Sequence, residues 1–236
     1  MMRRDVLLEP FFTASISGDR TEARRIVNEL LDSNSSGEQI LTDLFWPTVQ
    51  HVEKLYRADQ LSQLAHNYAT RLIRSLAEQM QLRLEQKDRK GKRVLMASGD
   101  QQAEELSALI SADLLEAAGY EVYFCGGGIA NDELIAQVGS LRPDIVVVFG
   151  AVPQTVPQTR VLIDRLHDIG ICPQIQIVVG GGVFNRADEL AEEIGADLWA
   201  IDPKELVEVI TQDPARRMTP DQRTVGRKRR SKRNAA

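Results

Sequence analysis

Between Val94 and Ile201, five short apolar runs alternate with stretches of helical period, and few folds accommodate that order. The runs cover 94–97, 121–124, 145–149, 175–179 and 198–201, and helical patterns follow at 103–118, 131–141, 156–169, 186–194 and 203–211. Strands apolar on both faces and separated by helices specify a parallel, doubly wound α/β sheet of five strands. Ligands of such sheets bind at the carboxyl ends of the strands. Here that edge reads Ser98-Gly99-Asp100, Cys125-Gly126-Gly127-Gly128, Gly150-Ala151-Val152-Pro153 and Gly180-Gly181-Gly182. A single glycine cluster reads as turn chemistry, whereas three on one edge read as a face that a large flat ligand can approach closely. None has the spacing G-x-G-x-x-G at the start of the first helix, so a nicotinamide or flavin dinucleotide is not indicated.

Upstream the period changes. Apolar residues recur at three and four in Ile26, Leu30 and Leu31, then from Leu41 through Leu55, then in Leu61, Leu64, Tyr68, Leu72, Ile73 and Leu76. Small and capping residues interrupt them at 17–19, 32–37 and 57–59. Four helices with short loops must bury their stripes on one another, which predicts a four-helix bundle over 1–84. The polar stretch 85–92 reads as a linker, and 93–213 as the sheet domain.

Charge is divided unevenly. From Arg216 to Ala236 nine basic residues face Asp221 alone, which leaves -13 on residues 1–215 out of a net -5. The run Arg227-Lys228-Arg229-Arg230-Ser231-Lys232-Arg233 has no apolar residue to fold around, so 214–236 reads as a disordered basic tail. Such a tail can hold nucleic acid through phosphates, without sequence preference, or dock on an acidic protein surface. Cys125 and Cys172 are too few for a disulfide framework, and no leader or membrane-length apolar run is visible, so the expectation is a cytoplasmic protein with no membrane contact.

Catalytic constellations are sparse. Asp100, Glu104 and Glu105 cluster at a helix start, where the helix dipole favours acids in any case. Cys125 has no histidine near it in sequence and reads as a structural thiol. Trp46 and Trp199 read as core; His51 and His167 read as surface residues.

Particular residues carry a family resemblance. In the first half, Gly18-Asp19 precedes Thr21-Glu22-Ala23-Arg24, and Pro47 leads through Val52 and Leu55 to Tyr56. In the second half stand Leu115-Glu116-Ala117-Ala118-Gly119-Tyr120-Glu121-Val122, Arg142-Pro143-Asp144-Ile145-Val146, Val179-Gly180-Gly181 and Ile194-Gly195-Ala196-Asp197. Over residues 8–205 the chain resembles the cobalamin-binding region of methionine synthase, of methyl-transferring corrinoid proteins and of light-sensing cobalamin-dependent repressors. The resemblance implies a four-helix cap followed by a flavodoxin-like Rossmann domain.

It also implies a ligand site, and here the chain departs. Where the family has Asp-x-His-x-x-Gly, this sequence reads Asp100, Gln102 and Glu105. The family's His holds cobalt from below, steadied by the Asp; a neutral amide is a poor donor to cobalt. Glu105 replaces the glycine that makes room for the cofactor's nucleotide tail. Gly150 and Val152 replace the Ser and Leu beside its base, so Asp100, Gly180 and Gly181 alone remain. In the cap, the repressors' Trp-x9-Glu-His pattern falls on Tyr56, His66 and Asn67. His66 also follows the apolar Leu61 and Leu64, which makes it a candidate cobalt ligand facing a domain interface, although a surface helix histidine is the preferred reading.

These residues imply a cobalamin-binding module that lacks the usual histidine ligand and acts as a non-catalytic sensor or regulator through a protein partner. The alternatives are a corrinoid methyl-carrier subunit of a methyltransferase system, or a degenerate domain that takes another tetrapyrrole or only a protein.

Overall fold

A computed structural model describes residues 2–150, 153–187 and 189–218, and the chain divides into two units, residues 1–86 and 87–236. The expected contact of Val152 and the basic run after Arg217 from Arg223 onward lie outside the described residues.

The first unit is helical. It contains α1 (Met2–Ser17), α2 (Arg20–Asp32), α3 (Gly37–Ile40), α4 (Trp46–Arg57) and α5 (Gln63–Gln81). Side chains set the helix starts: Asp19 Oδ1 accepts from the Thr21 and Glu22 amides, Ser36 and Gln39 form a capping box, and Ser62 Oγ accepts from Ala65. Helices α3 and α4 are one rod, joined by a π-helical turn at Leu41–Phe45 in which the Trp46 amide reaches Leu41 O. Pro47 accounts for that turn, because its ring cannot donate a hydrogen bond and crowds the carbonyl one turn earlier. Four rods therefore bury their stripes together, and the Phe11 ring stacks on Phe45 with centroids 5.3 Å apart.

On α5 the buried face differs from the expected stripe. Leu64 and Tyr68 are exposed, and the inward residues are His66, Ala69, Thr70, Leu72, Ile73 and Leu76.

In the second unit β1 (Arg93–Ser98), β2 (Glu121–Gly126), β3 (Ile145–Phe149), β4 (Gln176–Gly180) and β5 (Leu198–Ala200) form a parallel sheet of order β2-β1-β3-β4-β5. This is the flavodoxin-type order. Helices α6 (Gln102–Ala117) and α10 (Pro203–Gln212) pack together on one face. The other face buries Leu95, Val146, Val148, Ile177 and Val179 under α7 (Asn131–Leu141) and α8 (Val156–Ile169). Double-sided burial holds for β3 and β4 throughout and for the middle of β1, but the outer strands alternate. Trp199 on β5 is consequently 46% exposed, not core. The helix expected over 186–194 shrinks to a 3-10 turn at Gly182–Asn185 and one turn, α9 (Leu190–Glu193), because Glu189 at φ 71° interrupts the helical path.

Residues 87–92 run along the second unit: Lys87 N donates to Ala117 O at 2.8 Å and Lys90 N to Gly119 O at 2.9 Å. At the amino edge of the sheet the chain after α10 is strapped down. Gln176 Nε2 donates to Asp213 O and Arg216 O, and Asp197 accepts from both Ile177 N and Met218 N.

The same edge carries a carboxylate clamp. Asp144 accepts from Lys92 Nζ at 2.8 Å and from the Arg93 amide at 2.9 Å, which fixes the start of β3 to the start of β1. Partial burial raises the Asp144 pKa, but the Lys92 ammonium and the Arg93 amide outweigh it and hold the carboxyl below its ordinary value. A carboxyl made more acidic by folding stabilises the fold fully above the unfolded pKa of about 4 and loses that contribution as pH falls through the lowered value. Asp144→Asn is expected to lower the thermal midpoint by about 2–4 °C at neutral pH, and the gap to the parent should close in calorimetry as the pH drops below about 4.

Candidate functional site

The carboxyl edge is built by four turns. After β1, Ser98-Gly99-Asp100 packs directly on the turn after β2: the Asp100 carboxylate accepts from the Gly128 amide at 2.7 Å. Asp100 thus ties two loops together. Gln102 opens α6 on its exposed side. Gly126 and Gly128 both have positive φ, and Gly128 faces open space. These turns, from 99 to 102 and from 126 to 128, are the open part of the edge.

Gly150, Gly180 and Gly181 are buried. Gly150 has φ 84°, donates its amide to Gly180 O at 2.8 Å, and would place a Cβ 2.8 Å from Glu104 O. Gly181, at φ 62°, would place one 2.8 Å from Phe149 Cε1. Gly180 likewise would meet the Phe149 ring at 2.7 Å. So the sequence-derived set separates into an open group, Asp100 and Gln102, and a packed group, Gly150, Gly180 and Gly181.

Two side chains that sequence reasoning did not weigh as packing elements decide this. Phe149 is fully buried, and Glu104, only 6% exposed, turns its carboxylate back to accept from the Gln101 amide at 3.1 Å. The cleft on the opposite face of the edge, between Gly99, Gly128, Val148 and Thr159, encloses about 50 Å³, room for one or two waters.

His66 and Tyr56 come together in the first unit. The rings lie 4.2 Å apart, Tyr56 Oη donates to Gln63 Oε1, and His66 Nε2 meets Glu53 Oε1 at 2.6 Å. His66 is 6% exposed, a correction to the surface reading. Glu53, thirteen residues away and on another helix, was the missed partner. His51 is exposed and packs edge-on to Phe12. Among the described residues no group of three or more His, Cys, Asp and Glu is placed to hold a metal ion, and no helix is long and apolar enough to cross a membrane.

Cys125 and Cys172 are free thiols. Burial raises the Cys125 pKa, and its Sγ points at Met96 O, so it is poorly disposed to act as a thiolate.

The second unit is thus a flavodoxin-type α/β sheet ending in glycine-rich turns, preceded in the chain by a helical unit of four rods. The chain belongs to the B12-binding domain family: B12 binding domains match over residues 7–79 and 92–210. Trimethylamine corrinoid protein 2 of Methanosarcina acetivorans is 31% identical over 90 residues, 38% of this chain and 41% of the relative. Dimethylamine corrinoid protein 3 of Methanosarcina mazei is 26% identical over 98 residues, 42% and 58%. The chain thus spans about half the length of these curated relatives. The monomethylamine corrinoid protein of Methanosarcina barkeri has the same fold, with a TM-score of 0.74 at 16% identity over 88% of this chain and 98% of that one.

The residues fit a corrinoid in part. The open glycine turns suit a flat ring, whereas Gln102 offers no imidazole and the packed glycines offer no slot. The packing at Gly150 is testable. Gly150→Ala should cost about 3 kcal/mol, from its positive φ and the collision with Glu104 O together. Gly128→Ala, equally left-handed but facing open space, should cost about 1 kcal/mol. Urea midpoints of the two variants measure the difference.

Proposed function

We propose that this chain is a corrinoid carrier subunit that presents a bound corrinoid to a separate methyltransferase-class protein. The observation that carries the reading is the match to B12 binding domains in both units, joined by the corrinoid proteins among its relatives. Those relatives favour the carrier over the sensor that the missing histidine implied. A bound corrinoid would supply the methyl-carrying chemistry of such a carrier. The protein's own part is to seat the ring and leave its reactive face open to a partner. The turns at 99–102 and 126–128 provide backbone without bulky side chains for that seat, and Asp100 keeps the two turns in one rigid piece through the Gly128 amide. Gln102, exposed on the first turn of α6, is the residue of this chain in the place of the ligating histidine. His66, with Nε2 committed to Glu53, serves the interior of the helical unit in this reading.

Purified apoprotein titrated with hydroxocobalamin tests the proposal: saturable binding is expected, and its absence sinks the carrier reading. Gln102→His should then change the visible spectrum of the bound cofactor and tighten binding about tenfold. An unchanged spectrum and affinity would show that position 102 does not face cobalt.

We further infer that the basic residues beyond Met218 form a polyanion contact, supported by seven Lys and Arg against one Asp in 219–236. Truncation after Met218 keeps the strap at Gln176 and Asp197 intact. The full chain should bind duplex DNA at low salt with a log–log salt slope of up to about -6. Equal binding by the truncated chain removes the tail as the contact.

A further inference from the structure

Cobalamin carries, below its ring, a loop that ends in a ribose phosphate and a benzimidazole. A protein that takes this loop inside needs a slot for an aromatic base and a counter-charge or free amides for a phosphodiester. Among the described residues, the carboxyl edge of this sheet shows no such slot, and three of its four turns carry no cation.

The steric observation comes first. Between the ends of β1 and β3, the Glu104 side chain lies against Gly99, where any Cβ would collide with its carboxylate. The Glu104 backbone sits under Gly150, with Cα 3.1 Å from the position of a Cβ there. Between the ends of β3 and β4, the Phe149 ring takes the space a side chain on Gly180 or Gly181 would need, 2.7 and 2.8 Å from where a Cβ would stand. On the other face, the cleft of about 50 Å³ falls far short of the roughly 300 Å³ at which small-molecule pockets begin. Glycines that in another chain leave space are here filled by this chain's own residues.

The electrostatic observation is independent of that packing. From Val94 to Leu141, and again from Pro143 to Thr159, the sequence has no Lys, Arg or His. These stretches supply three of the four turns of the edge, all but the one after β4, so no cation in those three can meet a phosphate. Asp100, Glu104 and Glu105 instead place three carboxylates at the start of α6. The Gln101 amide, one of the donors a helix start offers to an anion, already serves Glu104.

We propose that this chain holds its corrinoid by the ring alone, with the lower nucleotide loop kept outside the protein by Glu104 and Phe149. The proposal rests on the corrinoid reading above and adds to it a ligand class: corrinoids whether or not they carry a lower base. Cobalamin then stays coordinated by its own benzimidazole, which explains why a chain with Gln102 needs no histidine. It also predicts that the affinity is insensitive to the tail.

The test compares hydroxocobalamin with diaquocobinamide, which lacks the nucleotide, by titration into the full chain with the visible spectrum recorded. The expected result is that cobinamide binds as tightly as cobalamin to within about threefold, or more tightly, and that bound cobalamin keeps the spectrum of the base-coordinated form. A base-off spectrum, or cobalamin binding more than about threefold tighter than cobinamide, overturns the proposal and leaves the carrier reading standing. Failure of both compounds to bind overturns both.

Discussion

Three adjacent strands buried along most of their length are the constraint from which the second unit follows. Each backbone amide and carbonyl of β1, β3 and β4 lies away from water and must pair with a neighbour, since an orphaned buried group costs as much as a lost hydrogen bond. Parallel pairing meets that demand only if the chain crosses back over the sheet after every strand, and the crossovers become the helices that cover both faces. Asp144 anchors the arrangement at one end by tying the starts of β1 and β3. At the other end the strands simply stop in the glycine-rich turns of the proposed site.

How much of this the sequence discloses depends on how local the deciding interaction is. The central strands are legible because burial on both faces leaves an unbroken apolar run. The edge strands are less so: Trp199 looks like core in a run of Leu198, Ala200 and Ile201, yet an edge strand has one covered face and alternates. Helix starts at Asp19, Ser36 and Ser62 are local and readable. The failure at 186–194 is local in cause but not in sign, because nothing in the residue type of Glu189 announces a left-handed backbone.

The placement of the candidate residues was legible, their packing roles were not. Asp100, Gly150, Gly180 and Gly181 stand at the positions that the pattern assigns, and the sheet brings them to one edge. What each does depends on residues distant in sequence. Asp100 is claimed by Gly128, His66 by Glu53, and the glycines by Glu104 and Phe149. A glycine in a sequence marks a place without a side chain; it does not say whether a ligand or a neighbouring side chain takes the space.

The strap at the amino edge bears on how the protein can be handled. Met218, the last described residue, is pinned to Asp197 at the foot of β5, at the end of the sheet away from the glycine turns. A tether or dye joined after this point sits a full strand length from the open turns. Immobilising the chain there leaves the proposed ligand edge free, so binding of a ring or of a partner can be followed on a surface without the attachment competing for the same ground.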